Sequence, residues 1–173
     1  MNFLGEDIQL EPITAPRGET IPWAFRVTEG IAGIRNRLRD IQTVDGLTSL
    51  NQLMAQRPVI VFDALRAEDF HNDDLLSRID HHVGTYRRGI GWHNEYYARS
   101  NDDPRIFGFF ARGKREIPTE FRRAEGGVIY SHSHESGRLV LFDDKKVEHS
   151  LPPTPDLIRA PRNSIYSVEI KQK

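Results

Sequence analysis

The chain contains no cysteine. This excludes disulfides and thiolate metal sites, so any metal must be held by His, Asp or Glu. Neither sign of charge dominates: 24 Lys and Arg stand against 25 Asp and Glu, a net charge of −1. That balance offers no electrostatic basis for binding nucleic acid or an anionic membrane. Long hydrophobic runs are also missing. Stretches such as Pro58-Val-Ile-Val-Phe62 are far too short to span a bilayer. The first residues, Met1 to Asp7, carry no basic segment and no extended apolar stretch, which argues against a signal peptide. A cytoplasmic protein is the expectation. No internal repeat or low-complexity segment interrupts the chain. With 173 residues, 38% of them apolar and 28% charged, the sequence can bury the core of a single domain.

Residues 1–18, with Pro12, Pro16 and Gly18, read as a loosely held lead-in to a strand over Glu19–Val27. Ile31, Ile34, Leu38 and Ile41 recur at helical spacing between arginines, which predicts an amphipathic helix. A second helix starts near Asp45, buries Leu47, Leu50 and Leu53, and stops at Pro58. Val59–Phe62 is continuous, apolar and β-branched, the pattern of a buried strand. Phe70, Leu75, Leu76 and Ile79 then predict a third helix over about 67–80. Beyond it come short β-like runs at 83–87, 92–99, 105–111, 127–133, 138–142 and 164–170. Such a series predicts a sandwich or barrel. The organisation expected is a single α+β domain, residues 1–173, with an N-terminal strand and helices over 1–80 and a β-sandwich over 82–170.

Several polar residues in the second half suggest chemistry. His93 and Glu95 alternate on a predicted strand, so both side chains point to one face, away from Trp92 and Asn94. His149 follows the run Gly137-Arg-Leu-Val-Leu-Phe-Asp143 and Val147-Glu148. Two histidines and one carboxylate can hold one face of Fe(II) and leave the opposite positions open. Arg162, near the start of the last β-like run, suits bidentate capture of a carboxylate. Taken singly, each of these residues is also consistent with a solvated surface strand or loop.

In order and context the set resembles the Fe(II)/2-oxoglutarate-dependent oxygenases. The resemblance rests on Gly91-Trp-His-Asn-Glu95, Gly126-Gly127, residues 137–143, Val147-Glu-His149 and Arg162-Asn-Ser164, and covers roughly residues 82–170. It implies a double-stranded β-helix (jelly-roll) sandwich with N-terminal buttressing helices. It also implies Fe(II) held by His93, Glu95 and His149, with Glu95 where the family usually has Asp. Arg162 and Ser164 would bind the distal carboxylate of the co-substrate 2-oxoglutarate, with Arg159 as the competing arginine. Tyr86, in Tyr86-Arg-Arg-Gly89, would donate its hydroxyl to the same molecule. Dioxygen would be the second co-substrate. Hydroxylation of a C–H bond in a small-molecule or amino-acid/peptidyl substrate would follow, with release of succinate and carbon dioxide. The small chain leaves the pocket either open or completed by a second subunit in a homo-oligomer.

Two readings compete with this one. The sandwich could be a non-catalytic binding or structural module with incidental histidines. It could also be a cupin-type metalloprotein centred on His132 and His134, though the glutamate that a cupin places a few residues later is here adjacent, as Glu135. On the oxygenase reading, His132 and His134 are strand-end or turn residues beside the substrate pocket. Asp80-His81-His82 lacks the further aspartates of the phosphoesterases it resembles and the basic surface of His-Asn-His nucleases. Phe107, Phe109 and Phe110 read as core.

Overall fold

The computed structural model describes residues 9–29, 44–63, 79–82, 90–94, 106–111, 115–135, 137–152 and 165–170. Eleven strands and one helix occupy these residues. They are β1 (Gln9–Thr14), β2 (Thr20–Glu29), α1 (Val44–Gln56), β3 (Val59–Phe62), β4 (Ile79–His82) and β5 (Ile90–His93). There follow β6 (Ile106–Ala111), β7 (Arg115–Arg123), β8 (Tyr130–His134), β9 (Leu139–Asp143), β10 (Val147–Leu151) and β11 (Ile165–Ile170).

The strands form a large sheet of order β1-β2-β3-β9-β6-β11-β4 and a small one of order β5-β10-β7-β8. From β4 onward the chain passes repeatedly between them. β4, β6, β9 and β11 belong to the large sheet and β5, β7, β8 and β10 to the small one. All pairings are antiparallel except β2 with β3. Phe107, Phe109, Val140 and Phe142 from the large sheet meet Phe121, Tyr130 and Val147 from the small one in a shared core. Phe142 stands between them, with ring centroids 5.2 Å from both Phe109 and Phe121. This is the jelly-roll sandwich expected from the sequence.

The central strands are apolar on both faces for a reason. β3 and β9 are buried at every position, as strands must be when their outer face is covered as well. Leu50 and Met54 of α1 are fully buried, and α1 packs near β9. At Gly108 of β6 a Cβ would lie 2.8 Å from Leu141 Cδ2 and 2.9 Å from the Val140 carbonyl oxygen, so only glycine lets β6 and β9 approach this closely.

Several expectations change. Residues 9–14, read as lead-in, form the edge strand β1, which sets Pro12 opposite Phe25 and shifts register on either side of Leu10–Pro12; an edge strand tolerates proline. Ile79 belongs to β4, so the third predicted helix cannot reach residue 80. Its remainder, the helix over 31–41 and the strand at 83–87 lie outside the described residues. Among the described residues α1 is the one helix. β7 and β10 were not predicted as strands. Among the described residues no helix is long and apolar enough to cross a membrane.

Candidate functional site

β5 is four residues long and pairs with β10 at only two positions, one of which sets His93 directly opposite His149. Their ring centroids are 4.2 Å apart and inclined by 54°. The pair begins a row across the small sheet: His93 faces His149, His149 faces Phe121, and Phe121 faces Tyr130. Histidines that the sequence separates widely therefore meet as nearest cross-strand neighbours, at the separation of adjacent strands.

The tautomer of His93 follows from its partner. Nδ1 lies 2.7 Å from the Gly91 carbonyl oxygen, which can only accept, so Nδ1 carries the proton. In the neutral ring Nε2 then keeps its lone pair, the form that binds a metal. His149 is 4% exposed and sits against Phe142, Phe109 and Phe121 at centroid distances of 5.1, 5.6 and 6.2 Å. Three phenyl rings give it a dry wall on the core side.

The register that creates this pair is fixed from both sides. Asn94 Nδ2 donates to the carbonyls of Asp144 at 2.6 Å and Val147 at 3.0 Å. The residue between His93 and Glu95 thus ties β5 to the turn leading into His149. That turn is itself closed by Lys146 N donating to the Asp143 carbonyl and Lys145 N to its carboxylate. On the outer face the Arg122 guanidinium lies 4.3 Å from the Trp92 ring centroid and its Nε is 2.8 Å from Glu148. Trp92, Glu148 and Arg122 stand on β5, β10 and β7, so one cation joins all three strands.

The remaining predicted site residues, Glu95, Arg162, Ser164, Tyr86 and the competing Arg159, lie outside the described residues. Among the described residues no three His, Asp or Glu side chains converge. His93 and His149 are therefore the part of the predicted ligand set that the structure brings together.

His132 and His134 occupy neither a turn nor an exposed strand end. Both alternate inward on β8, at 0% and 1% exposure. Tyr130 Oη lies 2.9 Å from His132 Nδ1, and Thr119 Oγ1 lies 2.7 Å from His134 Nε2. The two rings are edge-to-face at 4.9 Å. Burial pushes His132 well below its ordinary value, aided by the charges of His134, Arg138 and Arg26. Burial pushes the Tyr130 phenol up to about 12. Both are neutral near pH 7. A cupin-like centre here would need further ligands, and each ring already gives one nitrogen to a hydroxyl partner. The alternating histidines on an apolar run were visible in the sequence. Their partner Thr119 was not, because Pro118 and the charges of 115–123 conceal β7.

No family model matches the chain, and no curated protein matches it in sequence. Solved structures do match it in shape. PvcB from Pseudomonas aeruginosa aligns with a TM-score of 0.63 at 10% identity, over 96% of this chain and 92% of that one; a second PvcB structure, described as an Fe, α-ketoglutarate-dependent oxygenase, gives 0.66. AAD-2, solved with Mn(II) and N-oxalylglycine, aligns at 0.61 and 11% identity over 94% and 96% of the two chains. A taurine dioxygenase from Burkholderia xenovorans aligns at 0.59 and 10% identity over 95% and 90%. α-Ketoglutarate is 2-oxoglutarate, and the fold of this chain is that of the Fe/2-oxoglutarate-dependent oxygenases.

Proposed function

We propose that this protein is a non-haem Fe(II)- and 2-oxoglutarate-dependent oxygenase that hydroxylates a C–H bond of a small-molecule or amino-acid/peptidyl substrate. The observation that carries the reading is the in-register pair His93–His149, rings 4.2 Å apart, on the small sheet of an oxygenase-type sandwich. The donors suit the metal: His93 is held as the tautomer with Nε2 available, and imidazole nitrogens with one carboxylate are the facial set for Fe(II). Glu95 would supply the carboxylate. Arg162 and Ser164 would bind the far carboxylate of 2-oxoglutarate, and Tyr86 would add a hydroxyl donor. Bound iron with 2-oxoglutarate and dioxygen supplies the oxidation of an unactivated C–H bond, with succinate and carbon dioxide as co-products.

The chain's own residues orient and dry the site. The Gly91 carbonyl keeps the proton on His93 Nδ1 and fixes the ring plane. Phe109, Phe121 and Phe142 exclude water from one side of His149. Asn94 keeps the two ligand-bearing strands in register by holding the Asp144 carbonyl of the turn and the Val147 carbonyl of β10.

The test is succinate formation from 2-oxoglutarate, followed by NMR with Fe(II) and dioxygen, with and without a library of amino acids and small acids. Slow succinate release that needs both iron and dioxygen, is lost in His93→Ala and in His149→Ala, and is accelerated by some library member is the expected result. Absence of metal-dependent succinate release throughout, from protein that remains folded, would contradict the proposal.

A further inference from the structure

His134 lies two strands away from His149 on the small sheet, with β7 between them. One ring of the opposite sheet nevertheless touches both. Phe109 of β6 stands edge-to-face to His134 at a centroid distance of 6.2 Å and edge-to-face to His149 at 5.6 Å. The other two phenyl rings around His149, Phe142 and Phe121, are merely tilted against it, at 53° and 40°. Among the described residues no ladder joins β6 to the small sheet, so side-chain contacts set where the Phe109 ring stands relative to His149.

His134 is itself held at a weak point of its sheet. β7 meets β8 at Arg115↔His134 and at Thr119↔His132, so four steps along β7 span only two along β8. Pro118 lies in that stretch and has no N–H to give. Thr119 Oγ1, 2.7 Å from His134 Nε2, bridges the irregularity with a side-chain hydrogen bond. Both residues are buried. Loss of the hydroxyl would leave that imidazole nitrogen in a dry interior, and the ring would turn to find another partner.

A metal ligand has to be held within roughly 10–20° of its productive direction by the residues behind it. The Gly91 carbonyl does this for the His93 ring, whereas His149 rests against phenyl rings on its core side. We infer that Thr119 and His134 are positioning residues for the metal site. Thr119 fixes His134, His134 fixes the Phe109 ring, and Phe109 sets the orientation of His149. The inference rests on His149 being a metal ligand, as proposed above.

Titration of the full-length protein with Co(II), whose visible d–d bands report ligand geometry, tests it. Thr119→Val keeps the shape of the side chain and removes the hydroxyl. It should change the d–d envelope and weaken Co(II) binding by about three- to tenfold, less than loss of a direct partner of a ligand. Thr119→Ser should restore both. In a Phe109→Leu background the connection is already cut, so adding Thr119→Val should change the affinity further by less than about twofold. His134→Gln should act as Thr119→Val does, and it replaces that variant if the latter does not fold. Leu50→Ala truncates a buried side chain of α1, outside the core shared by the two sheets. It should lower the melting temperature and leave the Co(II) spectrum as in the wild type, which separates positioning from general loss of stability. An unchanged spectrum and affinity in Thr119→Val or His134→Gln would overturn the inference. So would failure of Thr119→Ser to restore them, full additivity with Phe109→Leu, or an equally altered spectrum in Leu50→Ala. In each of these cases Co(II) binding that is lost in His149→Ala would still uphold the metal assignment. No Co(II) binding by the wild type, or undiminished binding in His149→Ala, would remove the metal assignment and this inference with it.

Discussion

The small sheet carries two histidine pairs on its inner face, and their surroundings make them different in kind. His93 and His149 meet across two strands, held in place by backbone carbonyls, with an unprotonated Nε2 on His93. His132 and His134 follow one another on a single strand, fully buried and bonded to Tyr130 and Thr119. Ring separations of 4.2 and 4.9 Å hardly distinguish the pairs. What does so is where each ring's second nitrogen can go and whether solvent or substrate can reach it. The first pair lies at the edge strand β5, next to Glu95 in sequence. The second fills the interior and works as polar packing.

The largest contrast should come from removing one member of each pair. His149→Ala should abolish Fe(II) binding and succinate release. His132→Ala should keep the metal stoichiometry, measured by atomic emission, and lose about 2–4 kcal/mol of stability in urea melts through the cavity and the abandoned Tyr130 hydroxyl. Loss of iron in His132→Ala protein that remains folded would erase the distinction.

Acid should separate the pairs next. Because burial holds the His132 pKa down in the fold, the unfolded chain binds a proton there that the native chain does not. The sign is therefore destabilising on acidification. The penalty is absent well above the ordinary histidine value near 6.5 and grows as pH falls below it, by up to about 1.4 kcal/mol per pH unit, until the folded-state pKa is reached. His132→Phe should flatten this part of the profile of melting temperature against pH. An unchanged slope would show that His132 is not the group responsible.

Smaller effects sharpen the metal side. Asn94→Ala leaves the carbonyls of Asp144 and Val147 without their amide and should weaken Mn(II) or Fe(II) affinity by about tenfold with the fold retained. Equal affinity in the variant would remove Asn94 from the account. Arg122→Ala breaks the outer-face contacts to Trp92 and Glu148 and should cost only about 1 kcal/mol of stability, with little change in metal affinity.

Much of the frame was legible because it depends on local pattern. Val59–Phe62 and Leu139–Phe142 announce buried strands by unbroken apolar runs, Ile106–Ala111 does so by a run interrupted only at Gly108, and the spacing of Leu47, Leu50 and Leu53 announces α1. β7 was hidden because Pro118 and five arginine and glutamate neighbours break its alternation, and the ladder itself is irregular between Arg115 and Thr119. β10 was hidden because Lys145 and Lys146 suggest a solvated loop, while the buried Asp143 and Asp144 that shape the turn look exposed in sequence. β1 carries Pro12 and no apolar run, and its strand character comes from β2 alone. The facing of His93 and His149 was suggested by resemblance to a family and not by periodicity, since register between distant strands is a tertiary property. The Thr119–His134–Phe109 chain had no sequence signature, because residues 119, 134 and 109 belong to three separate strands.

The most direct test is an anaerobic titration of metal-free protein with Fe(II) and 2-oxoglutarate, followed by visible absorbance, with His149→Ala and His132→Ala in parallel. A weak charge-transfer band that requires both additions, persists in His132→Ala and vanishes in His149→Ala is the predicted result. No band in the wild-type protein, or a band that survives in His149→Ala, would contradict the assignment of the metal to the His93–His149 pair.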